Sequence, residues 1–251
     1  MRVAVCLSGQ SRFTVKNFPS IRDNLIIPTG ADVFFHHWDT ENDALGMEPQ
    51  KAVDLYEPKK HIIQPQKVWS EKEWDYIWTR LDPQLASKDK HQRKVQNDHS
   101  MLYSRMKANE LKSQYEKEQG FYYDCVIRAR SDLLFGKPFD LEEFKSDPGA
   151  IWTWFIRDRG NHGVACCDLF GFGNSGAMNV YSEFYLRYLR MAADKRHLFV
   201  EALFLDYLKG AGANLKFSKT LKSIHDPKQA EELKFIGTEG RVPDHPIILR
   251  A

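Results

Sequence analysis

The chain has no long apolar run, almost no net charge and only four cysteines, and each shortage removes a class of protein. Nothing in it approaches the ~18 uninterrupted apolar residues of a membrane-span candidate. The N-terminal run "VAVCL", residues 3–7, is broken by Ser8, Gly9 and Gln10 and is also too short for a secretory signal. Membrane insertion is therefore not expected. With 36 basic and 34 acidic side chains the formal charge is +2, which gives no electrostatic ground for nucleic acid or a membrane surface as partner. Small phosphorylated ligands stay open, because they need only a local basic cluster and backbone amides. Cys6, Cys125, Cys166 and Cys167 show no zinc spacing. The first two sit in apolar runs, where a thiol behaves as a small hydrophobe. For the adjacent pair, strand packing is the ordinary reading against a redox or metal role. A reducing, cytoplasmic setting fits this usage. The dinucleotide pattern of three glycines and the Lys-Ser/Thr end of a P-loop are both missing, and no repeat or low-complexity segment is visible.

What is present is material for a sizeable core: 251 residues, 42% hydrophobic and 13% aromatic. That length fits one domain, 1–251, with a two-lobed arrangement as the variant. "RVAVCLSGQSRF" reads as a first strand ending in a Ser-Gly loop. A helix follows, with Val15, Phe18, Ile21, Leu25 and Ile26 on its apolar face, and then a second strand, "ADVFFHHWD". Strand, helix, strand is the start of a doubly wound α/β sheet, mainly parallel and flanked by helices, which collects ligands at the carboxyl ends of its strands. A third strand is expected at "HIIQPQ". Ser70 and Glu73 have capping-box spacing ahead of a helix. The charged stretch 83–98 reads as a mobile loop able to serve as a lid, and residues 96–119 as the clearest helix. After Pro148 come "AIWTWFIRD", "VACCDLFGFGN", two helices and a short strand "ANLKFSK", with 226–251 as a weakly structured tail. Residues 1–135 form the expected ligand-binding half and 136–225 the second half.

Three stretches carry candidate chemistry. "LSGQSR" supplies a tight turn with free N–H groups, the polar side chains of Ser8 and Gln10 beside Gly9, and Arg12 as a phosphate partner. In "HHWD", His36 and His37 point to opposite faces of a strand, which makes joint ligation of one ion awkward. Asp39, after the second strand, is placed to accept hydrogen bonds from a base or ribose. In "VIRARSDLLF", strand alternation puts Arg128, Arg130 and Asp132 on one face. A plain salt cluster is the bland reading. Two guanidiniums with a carboxylate would otherwise suit a diphosphate, with Asp132 holding Mg²⁺ or Mn²⁺. Trp152, Trp154 and Phe155 offer aromatic faces for a sugar ring, although core packing is their commoner use. "GFGN" reads as a turn that lets a ligand approach the backbone.

The order "VAVCLSGQSRF", "DVFFHHWD" and a helix leading into "YDCVIRARSDLLF" resembles the small glycosyltransferase-like proteins of capsular polysaccharide loci and large algal viruses, themselves similar to nucleotide-sugar transferases of the GT-A type. The resemblance covers roughly residues 1–210 and is carried by the short motifs "SGQ.R", "WD" and "R.RSDLLF". It implies a GT-A-like, Rossmann-like fold, a nucleoside-diphosphate sugar as donor, UDP being the commonest nucleotide, and a glycan hydroxyl as acceptor. It also implies a divalent cation, Mn²⁺ or Mg²⁺, and a soluble enzyme of the cytoplasm, that of a host cell if the protein is virus-encoded. Ser8, Gly9, Gln10 and Arg12 would line the nucleotide, and Asp39 would lie near base or ribose. Tyr103 or Lys107 would face the diphosphate together with Arg128 and Arg130, and Asp132 would hold the metal. The family's metal motif is Asp-X-Asp, whereas this chain has "RSD", with Arg130 in the first acidic place. An inverting transfer needs a carboxylate base; Asp168, ahead of a Gly-rich segment, is the first choice and Glu201 the second. Retaining chemistry is the close variant. The other readings are a nucleotide-sugar- or glycan-binding module without activity, and another phosphate-handling α/β enzyme such as a sulfotransferase or nucleotidyltransferase.

Overall fold

A computed structural model describes residues 1–41, 47–66, 70–79, 88–153, 155–157, 164–195 and 197–218, with three short strands beyond them at 234–235, 241–242 and 249–250. Strand β1 (Val3–Gly9) leads into helix α1 (Thr14–Ile21), a π-helical turn (Arg22–Ile26) and the short α2 (Ile27–Thr29). Strand β2 (Asp32–Trp38), helix α3 (Pro49–Tyr56), strand β3 (Lys60–Gln64) and helix α4 (Glu71–Trp78) follow. The capping box ahead of α4 is formed: the Ser70 N–H donates to Glu73 Oε2 at 2.8 Å and the Glu73 N–H to Ser70 Oγ at 3.4 Å.

Helix α5 runs from Lys88 to Gln119, 32 residues and therefore about 48 Å at 1.5 Å per residue. It starts eight residues before the helix expected from periodicity, so residues 88–98 of the expected lid loop are helical instead. The physical reason lies in side chains taken for loop formers. Lys, Gln and Arg are good helix residues, Lys94 and Asp98 pair at i,i+4, and the single apolar anchor, Val95, is fully buried. Residues 83–87 lie outside the described residues.

The second half contributes β4 (Cys125–Arg130), β5 (Leu133–Leu134), α6 (Glu142–Ser146), β6 (Ile151–Thr153), β7 (Phe155–Arg157), β8 (Val164–Cys166) and β9 (Phe170–Gly173). Helices α7 (Ser175–Ser182), α8 (Tyr185–Lys195) and α9 (Val200–Gly210) and strand β10 (Leu215–Phe217) complete it. Of the tail, only β11 (Lys234–Phe235), β12 (Arg241–Val242) and β13 (Leu249–Arg250) are described.

Seven strands form one sheet in the order β10-β6-β9-β4-β1-β2-β3. The run β4-β1-β2-β3 is parallel throughout, β9 is antiparallel to both β4 and β6, and β10 is parallel to β6. This is an α/β fold with a mostly parallel mixed sheet flanked by helices, of Rossmann-like character. From β1 the chain steps to one side for β2 and β3 and to the other for β4, so a topological switch lies at the carboxyl end of β1. The core follows the two-residue period of the strands. Val5, Leu7, Phe35, Ile127 and Phe172 pack on one face with Ile21, Leu25 and Tyr56. Ala4, Cys6, Phe34 and Val126 pack on the other with Leu102, Ala108, Tyr181 and Phe204. Phe34 and Phe35, both fully buried, each contribute about 1.5–3 kcal/mol by leaving water.

One further reading of the sequence holds here and another changes. Trp152 packs in the core, stacked on Phe172 at 6.1 Å, which is the commoner of its two uses; Trp154 lies outside the described residues, and of Phe155 the backbone alone is described, in β7. The "GFGN" segment is not a turn, because Gly171 and Gly173 are inside β9 and serve packing. A Cβ on Gly171 would stand 2.8 Å from Tyr181 Cε2, and one on Gly173 would stand 2.7 Å from the Ala150 carbonyl oxygen. Since that oxygen is backbone and cannot swing aside, Gly173→Ala is expected to destabilise by about 1–3 kcal/mol. The effect should appear as a lower urea midpoint with an unchanged slope.

Candidate functional site

The switch point is where a cleft of about 190 Å³ opens. Its floor is the end of β1 and the loop after it, Gly9, Gln10 and Arg12; Trp38 closes it from the end of β2, and Arg130 from the end of β4. Gly9 has φ 120°, a conformation that side-chain-bearing residues avoid, and it turns the chain away from the sheet at this point. The far wall is α5, where Asn97, Ser100 and Met101 share a face at i, i+3, i+4 spacing, with Gln66 beside them. Gln66 Nε2 donates to Ser100 Oγ at 2.9 Å. The lining thus holds two guanidiniums and several amides and contains no carboxylate. Arg12 is exposed and makes no ion pair among the described residues.

Helix α5 is fastened to the first two strands by one hydroxyl. Ser104 Oγ accepts the Gly9 N–H at 2.7 Å, donates to the His36 carbonyl at 3.1 Å and lies 2.8 Å from His36 Nδ1. Both histidines are buried on opposite faces of β2. His36 packs edge-on to Trp38 and Tyr103, while His37 stacks on Phe35 at 4.0 Å. Burial lowers the imidazole of His36 to about 4 and pushes that of His37 well below its ordinary value. Both are neutral structural groups at physiological pH.

Of the residues singled out from sequence, Gly9, Gln10, Arg12 and Arg130 meet in the cleft. Ser8 is buried beneath it, its hydroxyl without a partner among the described residues. Asp39 is exposed past the end of β2 and outside the lining; its N–H donates to the Gln64 carbonyl at 2.7 Å. Tyr103 stacks on Trp38 at 5.6 Å and supports the cleft from behind. Lys107, one turn further along α5, pairs with Glu110 at 2.6 Å.

The "RARSD" cluster divides. Arg128 and Arg130 share a face of β4, but only Arg130 reaches the cleft. Arg128 is fully buried and donates through Nη1 to the Asp168 carbonyl, its Nε and Nη2 having no partner among the described residues. The strand ends at Arg130, so alternation does not carry on to Asp132. The chain turns there and Asp132 folds back, accepting from Arg130 Nε at 2.8 Å and from Nη2 in a two-pronged ion pair. Burial opposes charge on Arg130, yet the carboxylate outweighs it and holds the guanidinium above its ordinary value.

Next to this lies a buried polar zone. Arg105, with no exposed surface, is caged by Phe204 at 4.5 Å, Tyr181 at 4.8 Å and Phe184 at 5.8 Å, and none of its three nitrogens has a hydrogen-bond partner among the described residues. Burial lowers it to about 10. Asp168, in the turn between β8 and β9, is also buried, and its charge bears on Arg105, Arg128 and Arg130. Glu201 stands in the first turn of α9, where burial, with the Asp168 charge second, raises its carboxyl to about 7. Neither carboxylate lines the cleft. They connect to it through α5, whose Lys94 and Asp98 flank Asn97 and also act on Glu201.

Among the described residues no three His, Cys, Asp or Glu side chains come together as a metal-binding group. Asp132 already holds a guanidinium on both oxygens. Trp38, Gln66, Asn97, Ser100 and Met101 were not anticipated as lining. The spacing of 97, 100 and 101 on one helix face was the only signal available, and it becomes informative only once α5 is known to cross the strand ends. Among the described residues no helix is long and apolar enough to cross a membrane. No family model matches this chain, and no curated protein does either.

Proposed function

We propose that this chain is a glycosyltransferase that binds a nucleoside-diphosphate sugar, UDP-linked in the first instance, in the cleft at the end of β1 and transfers the sugar to a hydroxyl of a glycan. The observation that carries this reading is the lining itself: Arg12 and Arg130 beside amides and a tryptophan, with no carboxylate, at the switch point of a parallel sheet. Such a lining favours an anionic ligand with hydrogen-bonding edges. Its volume suits a diphosphate or a base, and the remainder of the donor extends past the rim.

In this reading the diphosphate lies against the guanidiniums of Arg12 and Arg130, which stabilise it as the leaving group. Trp38 and the amides of Gln10, Gln66 and Asn97 orient the nucleoside. Glu201 receives the proton of the acceptor hydroxyl as its oxygen attacks the anomeric carbon, since a carboxyl near 7 is matched to that task at physiological pH. Burial sets that value, with the Asp168 charge second, which reverses the order in which the two carboxylates rank from sequence.

A thermal-shift series with UDP, GDP and their sugars tests the donor class. A ligand at about 100 times its Kd adds about 2.7 kcal/mol, worth about 5–10 °C at this chain length. A shift with one nucleoside diphosphate, lost in Arg12→Ala, is the expected result. No shift with any of them would end the nucleotide-sugar reading, whereas a shift without donor turnover would leave a binding module.

A further inference from the structure

We propose that the cleft grips the diphosphate with arginine alone, Asp132 acting as the anchor that aims Arg130 and not as a ligand to a divalent cation. The inference rests on the nucleotide-sugar reading and specifies how that site supplies its positive charge. Three observations carry it. First, Arg130 occupies the cleft lining while Asp132 does not, and their side chains are 14% and 4% exposed, so an arriving ligand meets the guanidinium and not the carboxylate. Second, of the five N–H groups of an arginine, Arg130 gives one from Nε and one from Nη2 to Asp132, leaving three directed elsewhere. A guanidinium fixed along one edge in this way offers its other edge in a set orientation, which is the geometry that recognises two oxygens of a phosphate group. Third, a cation placed on either oxygen of Asp132 would stand beside that guanidinium charge, and among the described residues no three His, Cys, Asp or Glu side chains come together to offset the repulsion. Arg12, exposed across the β1 loop and without an ion pair among the described residues, provides the second positive charge.

Isothermal titration of the full chain with UDP, GDP and inorganic pyrophosphate, in EDTA and again in Mn²⁺, decides the matter. The expected result is binding in EDTA with a Kd less than about tenfold weaker than in Mn²⁺, a margin of 1.4 kcal/mol. Arg130→Gln is expected to weaken binding by about tenfold to a hundredfold in both buffers, the loss of charged hydrogen bonds. Asp132→Asn is expected to weaken it in both buffers too, because the anchor loses its charge while Arg130 remains. Binding that requires Mn²⁺, with the requirement abolished in Asp132→Asn, would overturn the inference and leave the nucleotide-sugar reading in place. An absence of binding by the native chain in both buffers would overturn the two together. The comparison of buffers uses the native chain, so it stands whether or not a variant folds.

Discussion

Replacing Lys112 by methionine should cost about 3–5 kcal/mol of stability, because it leaves the Glu116 carboxylate buried without its partner. The pair lies on α5 with side chains 0% and 2% exposed. Its hydrogen bonding is complete: Lys112 Nζ donates to Glu116 Oε2 at 3.0 Å, to Ser175 Oγ at 2.6 Å and to Asn179 Oδ1 at 3.1 Å. Glu116 Oε2 also accepts from Ser175 Oγ at 3.0 Å, and Oε1 takes the Tyr123 N–H at 2.9 Å. Every ammonium proton and both carboxylate oxygens are therefore engaged, and the network ties α5 to the first turn of α7 and to the entry of β4. The double variant Lys112→Met with Glu116→Gln keeps an acceptor for Tyr123 and carries no buried charge, so it should be more stable than the single Lys112→Met variant. Urea unfolding of the native chain, the two single variants and the double variant yields the coupling energy directly. A Lys112→Met variant that unfolds at the native midpoint would show that the pair is dispensable.

The second large effect is catalytic. Glu201→Gln is expected to lower kcat by about 10²–10⁴-fold, the usual contribution of a positioned base, with donor binding unchanged. On the proposed mechanism, kcat/KM of the native chain should rise with pH through about 7, where the Glu201 carboxyl loses its proton. In Asp168→Asn that midpoint should move to lower pH, because the neighbouring negative charge that helps raise it is gone. A native profile without a limb near neutrality would remove Glu201 from the mechanism. Stability supplies a check independent of turnover. Glu201 rises from an ordinary 4.5 to about 7 in the folded chain, so between those values the native state holds more protons than the unfolded one and stability falls as pH increases. His36 acts the other way. Its imidazole drops from 6.5 to about 4, so stability increases with pH across that interval. Subtracting the melting curve of Glu201→Gln from that of the native chain isolates the carboxyl contribution, which should decline from about pH 4.5 to about pH 7.

The elements nearest the N-terminus are legible in the sequence because their signals are local. Short apolar runs mark β1 and β2, 3.6-residue spacing places Ile21 and Leu25 inside, and Ser70 with Glu73 announces α4. The start of α5 is not legible in this way, since "KDKHQRK" has charges on all sides and a single buried anchor decides its state. Strand β9 is obscured for a different reason: Gly171 and Gly173 resemble turn residues, but they are small because Tyr181 and the Ala150 carbonyl lie against them. The site divides along the same line. Gly9, Gln10 and Arg12 are adjacent in the chain and can be read together. Trp38, Gln66 and Asn97 reach them only through the strand order. The fate of Arg128 depends on a carbonyl 40 residues away, and that of Asp132 on where a strand ends.

Helix α5 carries Asn97, Ser100 and Met101 at the cleft, Ser104 under the first strand, and Lys112 and Glu116 in the ion network, all on one rod about 48 Å long. Its amide protons therefore report on ligand and fold together. An occupant that grips the Asn97 end suppresses opening of the same helix that the Lys112 network holds, so slowed hydrogen exchange extends along α5 well beyond the residues that any ligand touches.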